Sequence, residues 1–269
     1  MKFDGITIIT DMDGTLLTND KKVSKINKDA IEYFKNNGGT FVIASGRTYP
    51  KILLFAEELK LDGPLVCNNG GVIYDYGKDE IIHKSVMSDK IIGIVDKLME
   101  RFGDYGFEIA SLNDVYFLRD NEAIQKHIRD EKFTDLKWIT TADIDFEMSK
   151  VLIGHTPEKI EELMKVIPPE YHGFSTYRTD HTYYEIMPYG VTKGSALFEL
   201  RKILGDKAKE IYAIGDNIND LEMIKVSDVG IAVKNALSGL KEYADFILPY
   251  TNEEHAIMHV IELIEKGII

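Results

Sequence analysis

The chain has 269 residues, of which 44% are hydrophobic and 29% charged, and its formal net charge is −13. This composition is typical of a globular protein with one large core or two modest ones, and the acidic balance argues against a nucleic-acid partner, which needs clustered Lys and Arg. No run approaches the ~20 apolar residues of a membrane span and the first residues lack a signal-peptide pattern, so we expect no membrane partner and a cytoplasmic location.

The first part of the chain alternates short apolar runs with segments of helical periodicity. This alternation predicts a parallel sheet with crossover helices. Ser24 is suited to cap the first helix and Gly38-Gly39 to end it. The predicted elements are a strand at 6–10, a helix near 24–37, a strand at 40–44, a helix near 49–59 and a strand at 65–67.

The same pattern returns at the far end of the chain, so we expect both ends to share one sheet. The elements predicted there are a helix at 193–204, strands at 210–214, 229–233 and 245–248, and a last helix near 252–266. Between them the pattern changes to a helix at 90–102, two strands around the Asn113-Asp114 turn, further α/β units, and strands at 174–178 and 183–187. We therefore predict an α/β fold with a Rossmann-like parallel-sheet core at 1–82 and 188–269 and an inserted α/β domain at 83–187.

Two carboxylates, Asp11 and Asp13, directly follow the first predicted strand and precede Gly14. Residues two apart in an extended segment point the same way, and the two anions repel unless a cation or a shared proton relieves them. Oxygen ligands of this kind suit Mg²⁺. An isolated Asp-x-Asp is more often a solvated turn, and the early glycine excludes a calcium-binding helix-loop-helix.

Polar runs follow three other predicted strands, and ligands of an open parallel sheet bind beyond the carboxyl ends of its strands. The Ser45 hydroxyl and the Gly46 amide are suited to face an anion, although serine is also a common helix cap. The three runs are Ser45-Gly46-Arg47, Asn68-Asn69-Gly70-Gly71 and Gly215-Asp216-Asn217-Ile218-Asn219-Asp220.

Acids in the last of these runs are candidates for completing the magnesium site. Asp216 would join Asp11 and the backbone carbonyl of Asp13, while Asp220 would bind the metal through water or orient Lys193. Lys193 stands at the start of a predicted helix, where a cation is unfavourable, which suggests a compensating anion.

Two further patterns are weaker. His255 and His259 are four residues apart, a spacing that can bind zinc, but the His-Glu-x-x-His pattern is absent. The single cysteine, Cys67, lies in an apolar strand and is expected to be a buried small side chain rather than a nucleophile.

Taken together, the motifs resemble those of the haloacid dehalogenase superfamily, and within it the Cof-like phosphatases with a large α/β cap of type IIB. The resemblance covers essentially the whole chain. Its carriers are Asp11-Met12-Asp13-Gly14-Thr15, Ser45-Gly46-Arg47, Asn68-Asn69-Gly70, Val191-Thr192-Lys193-Gly194 and Gly215-Asp216-Asn217-Ile218-Asn219-Asp220.

The resemblance implies a Mg²⁺-dependent phosphatase that hydrolyses small phosphorylated metabolites, such as sugar phosphates. Asp11 would be the nucleophile that becomes an aspartyl-phosphate, Asp13 the acid and then the base, and Lys193 a cation that neutralises the phosphoryl oxygens. The implied phosphate and substrate contacts are Ser45, Gly46, Arg47, Asn68, Asn69 and Asn219, and the implied metal ligands are Asp11, Asp13, Asp216 and Asp220.

The inserted domain would then select the leaving group. Tyr183 and Glu185 on its last strand, with Arg178 and His181 before that strand, are candidates for this purpose, although alternate residues must also build the domain's own sheet. Two other functions stay open: a phosphomutase or phosphotransferase of the same superfamily, and a catalytically silent ligand-binding regulator.

Overall fold

The computed structural model describes residues 1–179 and 181–269 in full and the backbone of residue 180. The chain forms two compact units. The first unit combines Met1–His83 with Thr192–Ile269, and the second unit is the continuous stretch Lys84–Val191. None of the helices among the described residues has the length and apolar composition that a membrane span requires.

The strands and helices are numbered in chain order. The strands are β1 (Ile6–Asp11), β2 (Thr40–Ala44), β3 (Pro64–Cys67), β4 (Val72–Asp75), β5 (Glu80–Lys84), β6 (Gly106–Ser111), β7 (Val115–Arg119), β8 (Lys137–Trp138), β9 (Met148–Gly154), β10 (Glu170–Tyr171), β11 (Phe174–Asp180), β12 (Tyr183–Pro188), β13 (Glu210–Gly215), β14 (Val229–Ala232) and β15 (Phe246–Ile247). The α-helices are α1 (Lys25–Asn36), α2 (Tyr49–Glu58), α3 (Lys90–Arg101), α4 (Glu122–Asp130), α5 (Pro157–Val166), α6 (Lys193–Leu204), α7 (Leu221–Val226), α8 (Ser238–Lys241) and α9 (Ala256–Glu265).

The first unit is built on an eight-stranded sheet in the order β15-β14-β13-β1-β2-β3-β4-β5. β1 pairs in parallel with both β13 and β2, so the two ends of the chain share this sheet as predicted. Ile8 and Ile9 of β1 point to opposite faces and are both fully buried. Burial on both faces explains why the strands read as nearly continuous apolar runs. The predicted α/β fold is confirmed.

Two elements of the first unit differ from the sequence-based expectation. β4 pairs antiparallel with β3 and extends the sheet, which no alternation of strands and helices indicated. The predicted last helix is broken at His255, whose φ of +61° is left-handed, so α9 begins only at Ala256. The Thr251–Glu254 capping box closes a separate short turn ahead of it. Apolar periodicity across 252–266 hid this break.

The second unit has a seven-stranded, mainly antiparallel sheet in the order β10-β11-β12-β9-β6-β7-β8. One face carries a large apolar cluster that includes Ile91 and Val95 of α3 and Ile160 and Leu163 of α5. The other face carries a smaller cluster with Ile124 and Ile128 of α4. The face with the smaller cluster also carries the buried Lys150–Glu185 ion pair.

The four side chains predicted to select a leaving group have the following places within the second unit. Glu185 is buried and pairs with Lys150 at 2.9 Å. Tyr183 belongs to the smaller apolar cluster, and its hydroxyl donates to the Ala123 carbonyl at 3.2 Å. Arg178 donates to the His181 carbonyl at 2.8 Å. Tyr183 and Glu185 therefore help to build the unit itself.

Removing one member of the Lys150–Glu185 pair should destabilise the second unit. The two side chains are only 8% and 4% exposed, so removing either one leaves a buried charge without its hydrogen-bonded partner. We expect Glu185→Leu and Lys150→Met each to lower the free energy of unfolding by about 3–5 kcal/mol. The double variant should lose less than the sum of the two, as measured by urea unfolding. A strictly additive loss would show that the pair is not coupled.

Candidate active site

The site is assembled at one edge of the sheet in the first unit. β13, β1, β2 and β3 are neighbours in that order and run parallel. Their carboxyl ends therefore lie side by side, and each is followed by one of the polar runs singled out in the sequence. Asp11 is the last residue of β1, and Asp216 directly follows β13.

Lys193 is the central cation of this cluster. It is the first residue of α6, whose first turn is fixed by a capping box formed by Thr192 and Ser195. Its side chain is fully buried, with Nζ 2.5 Å from Asp11 Oδ1 and 2.6 Å from Asp220 Oδ1. Burial alone would lower the pKa of Lys193, but the two carboxylates raise it above its ordinary value. Two carboxylates therefore compensate the charge of Lys193, for which the sequence predicted an anion.

Asp220 holds the Lys193 side chain in position. Its other oxygen, Oδ2, accepts hydrogen bonds from the backbone N–H groups of Asp216 and Asn217 at 3.0 and 3.1 Å. A Cβ at Gly215 would lie 2.5 Å from Asp220 Cβ, so glycine is required for this close approach. Because both oxygens are engaged by the protein, Asp220 has the contacts of a residue that orients Lys193, one of its two predicted roles.

Asp216 is held by residues of the loop that follows β1. Thr15 Oγ1 donates to its Oδ1 at 3.0 Å. Gly14 has a φ of +86°, and a Cβ there would lie 2.5 Å from Asp216 Oδ2. Asn235 Nδ2 donates to the Gly14 carbonyl at 2.8 Å and so secures the same loop. Sequence reasoning missed Asn235, although it follows β14 and the strand-end rule that found the other runs applies to it as well.

Three carboxylates meet at this edge with the properties of a metal site. Oxygens of Asp11, Asp216 and Asp220 all lie within 4.8 Å of one another. Burial and the charges of neighbouring acids raise the pKa of Asp11, and burial and Asp220 raise that of Asp216 to about 7. Asp11 Oδ2 is buried and accepts no hydrogen bond from the described residues. A divalent cation with oxygen ligands would relieve both the repulsion and the missing contact.

The raised pKa of Asp216 makes the stability of the metal-free protein depend on pH. The folded protein binds the proton of the Asp216 carboxyl more tightly than the unfolded chain does. The stability that this bound proton contributes is therefore lost as the pH rises from 3.8 to about 7. In EDTA at pH 8, Asp216→Asn should therefore melt several degrees above the parent protein, and the difference should shrink at pH 5. A lower Tm for Asp216→Asn at pH 8, measured by calorimetry, would contradict this.

Asp13 lies among cations rather than in the carboxylate trio. Arg47 donates to both of its oxygens at 3.0 Å, and Lys21 Nζ donates to Oδ1 at 2.6 Å. Burial would raise the pKa of Asp13, but Arg47 and Lys21 outweigh it and hold the pKa below its ordinary value. Asp13 is thus a carboxylate here, and its side chain is not placed as a metal ligand. Proton donation by Asp13 requires these contacts to rearrange.

The predicted phosphate contacts come from three loops that are bonded to one another. The Ser45 carbonyl accepts the Asn69 N–H at 3.0 Å, and Ser45 Oγ accepts the Arg47 N–H at 3.3 Å. Asn219 Nδ2 donates to Asn69 Oδ1 at 3.2 Å. The remaining two, Gly46 and Asn68, lie in the same loops: a Cβ on Gly46 would be 3.1 Å from Asn69 Oδ1, and the Asn68 N–H donates to the Arg47 carbonyl at 2.9 Å.

The weaker sequence patterns lie outside this cluster. His255 Nδ1 is 3.0 Å from Ser24 Oγ, and the His259 ring stacks on Tyr250 with centroids 3.5 Å apart. Neither histidine belongs to the group of metal-ligating side chains found in the described part of the chain. Cys67 is buried, and burial raises the pKa of its thiol, as expected for an unreactive cysteine.

Comparison with known proteins identifies the family. A sequence profile of the haloacid dehalogenase-like hydrolases matches residues 8–261, and the chain belongs to that family. It is 30% identical over 254 residues to YcsE of Bacillus subtilis, a 5-amino-6-(5-phospho-D-ribitylamino)uracil phosphatase, with 94% of this chain and 93% of the relative covered.

Solved structures show the same fold. A haloacid dehalogenase-like hydrolase from Bacteroides thetaiotaomicron superposes with a TM-score of 0.83 at 26% identity, covering 96% of this chain and 98% of the other. The HAD subclass IIB sugar phosphatase BT4131 superposes with a TM-score of 0.83 at 22% identity, covering 98% and 99%. The predicted class, a Cof-like phosphatase of this superfamily, is confirmed.

Proposed function

We propose that the protein is a Mg²⁺-dependent phosphatase that hydrolyses small phosphorylated metabolites through an aspartyl-phosphate at Asp11. The observation that carries the proposal is the buried contact of Asp11 and Asp220 with Lys193, next to Asp216. Buried carboxylates this close together are costly. Binding of a divalent cation and a phosphate dianion would explain why the fold keeps these carboxylates together despite that cost.

In the first step, a carboxylate oxygen of Asp11 attacks phosphorus and the bond from phosphorus to the leaving oxygen breaks. Lys193, fixed by Asp220, neutralises charge on the phosphoryl oxygens. Phosphoryl transfer depends mainly on positioning and electrostatic stabilisation, so a fully buried and rigid cation is well suited to this role. Ser45, the Gly46 amide and Asn219 would hold the remaining phosphoryl oxygens.

In the substrate complex Asp13 would carry a proton, taken up from solvent once Arg47 has moved away from it. It would give this proton to the leaving alcohol and then take one from the water that attacks the aspartyl-phosphate. Water attack at phosphorus breaks its bond to Asp11 and regenerates the carboxylate, so Asp13 ends each cycle as it began. Arg47 is the group that must move, because it binds both oxygens of Asp13. A phosphate dianion competes for the same guanidinium and would favour that movement.

The metal would be held by Asp11 and Asp216, with the Asp13 backbone carbonyl as a third ligand from the protein. When bound, Mg²⁺ supplies positive charge that neutralises the reacting phosphoryl group. Asp220 would act through Lys193 or through a bound water.

For the substrate, we propose phosphorylated sugars and polyols, with the second unit determining which of them are hydrolysed. The name of the B. subtilis relative supports this class, since it describes a compound that carries its phosphate on a ribityl chain. That compound and a series of sugar phosphates form the first panel to test.

The test is phosphate release by the purified protein. We expect phosphate release from p-nitrophenyl phosphate with Mg²⁺ and loss of that release with EDTA. At least one member of the metabolite panel should have a higher kcat/KM than p-nitrophenyl phosphate. Absence of turnover on every compound would favour a ligand-binding regulator.

A chase of labelled phosphate separates hydrolysis from transfer. Label should appear as free phosphate. Label found chiefly in an isomeric phosphate ester would instead identify a phosphomutase or phosphotransferase.

A further inference from the structure

A tight turn between β1 and α1 brings a second cation to Asp13. The Thr18 N–H donates to the Lys22 carbonyl at 2.9 Å, and the Lys21 N–H donates to the Thr18 carbonyl at 2.8 Å. Asn252 Nδ2 secures the entry to this turn by donating to the Leu17 carbonyl at 2.9 Å. Lys21 therefore extends from an ordered backbone.

This second cation exceeds what Asp13 needs for charge compensation. Arg47 already binds Asp13 through both carboxylate oxygens, the strongest arrangement for such a pair. Lys21 adds a further positive charge at 2.6 Å. The Lys21 side chain is 40% exposed, compared with 12% for Arg47, so its ammonium is open to a ligand arriving from solvent.

The position of Lys21 relative to a bound substrate follows from the proposed function, on which this inference rests. There, Asp13 hydrogen-bonds the leaving oxygen, which adds about 2.7 Å to the distance between Lys21 and Asp13. The ammonium then lies within about 5–7 Å of the leaving oxygen, the longer distance applying where the two groups bind different carboxylate oxygens of Asp13. A substituent a few bonds from that oxygen comes within reach of a flexible lysine side chain.

We propose that Lys21 is a specificity-determining residue that favours substrates whose leaving group carries a second negative charge, such as a carboxylate or another phosphate close to the scissile ester. The surplus charge beside Asp13 attracts such a group. Phosphate esters whose leaving group is an uncharged polyol gain nothing from this charge.

The test compares two compounds with the same three-carbon skeleton, 3-phosphoglycerate and glycerol 3-phosphate, which differ in a carboxylate and a hydroxymethyl group. Lys21→Met should lower the ratio of their kcat/KM values about two- to fivefold, the range of a partly exposed ion pair. Lys22→Met is the matched control, because Lys22 is exposed and its backbone alone joins the turn. It should leave the ratio unchanged.

Equilibrium binding to Asp11→Asn, with and without Lys21→Met, gives the same comparison without turnover. If Lys21→Met changed the ratio between the two compounds neither in kcat/KM nor in equilibrium binding, the inference would be overturned. An equal fall for both compounds would also overturn it, since Lys21 would then act only on Asp13. Failure of the proposed function shows differently, as absence of phosphate release from every ester with native Lys21 in place.

Discussion

Replacing Asp11 by Asn should abolish phosphate release while the protein remains folded. The amide is nearly the same size as the carboxylate but is not a usable nucleophile, and loss of a covalent nucleophile lowers kcat by about ten-thousand-fold or more. Burial raises the pKa of Asp11, so removing this charge relieves a cost in the folded protein. Lys193 keeps Asp220 as a partner at 2.6 Å. We therefore expect a Tm equal to that of the parent or higher.

Asp206→Asn serves as the control for this substitution. Its side chain is 99% exposed, so the same chemical change there should alter neither kcat nor Tm. Activity of Asp11→Asn within tenfold of the parent, measured after removal of any contaminating phosphatase, would contradict the assignment of Asp11 as the nucleophile.

Asp13→Asn should have an effect that depends on the leaving group. An alcohol leaves poorly without a proton, so we expect kcat on a sugar phosphate to fall about a hundred- to ten-thousand-fold. p-Nitrophenolate leaves readily without protonation, and the loss on p-nitrophenyl phosphate should be smaller. Because Asp13 would also activate water in the second step, the contrast is sharpest in single-turnover release of the leaving group.

The same substitution removes one partner of Arg47 and Lys21, which hold Asp13 at 3.0 and 2.6 Å. An Arg47→Lys variant separates the two effects, since it keeps the charge but loses the paired contacts. Equal losses of Asp13→Asn on both substrates would reject the proton-transfer role and leave Asp13 as an anchor for these two cations.

Much of the site was predictable because it obeys a rule of local sequence. Asp11, Ser45, Asn68 and Asp216 each follow an apolar run, and parallel strands bring their carboxyl ends to one edge. Lys193 was identifiable by a different signal, a cation at the start of a predicted helix, where its charge is unfavourable. In each case the signal lies within a few residues of the functional side chain.

The features that escaped prediction depend on contacts between distant segments. Lys21 reads as a surface lysine in a polar turn, and only the fold brings it to Asp13. Ile26 fits the apolar stripe of α1 but is 45% exposed, while Asn27 is buried and accepts the Met258 N–H at 3.1 Å. The break at His255 likewise follows a capping box rather than any loss of apolar periodicity.

The most direct test of the central claim is to trap the phosphorylated carboxylate. Asp13→Asn, mixed with p-nitrophenyl phosphate and Mg²⁺, should still be phosphorylated, because this leaving group needs no acid, while loss of the base slows hydrolysis. Acid quenching and borohydride reduction convert an aspartyl-phosphate to homoserine, which peptide mass spectrometry locates. We predict homoserine at position 11. Its absence in a sample that shows a stoichiometric burst of p-nitrophenolate, or its appearance at another aspartate, would contradict the account.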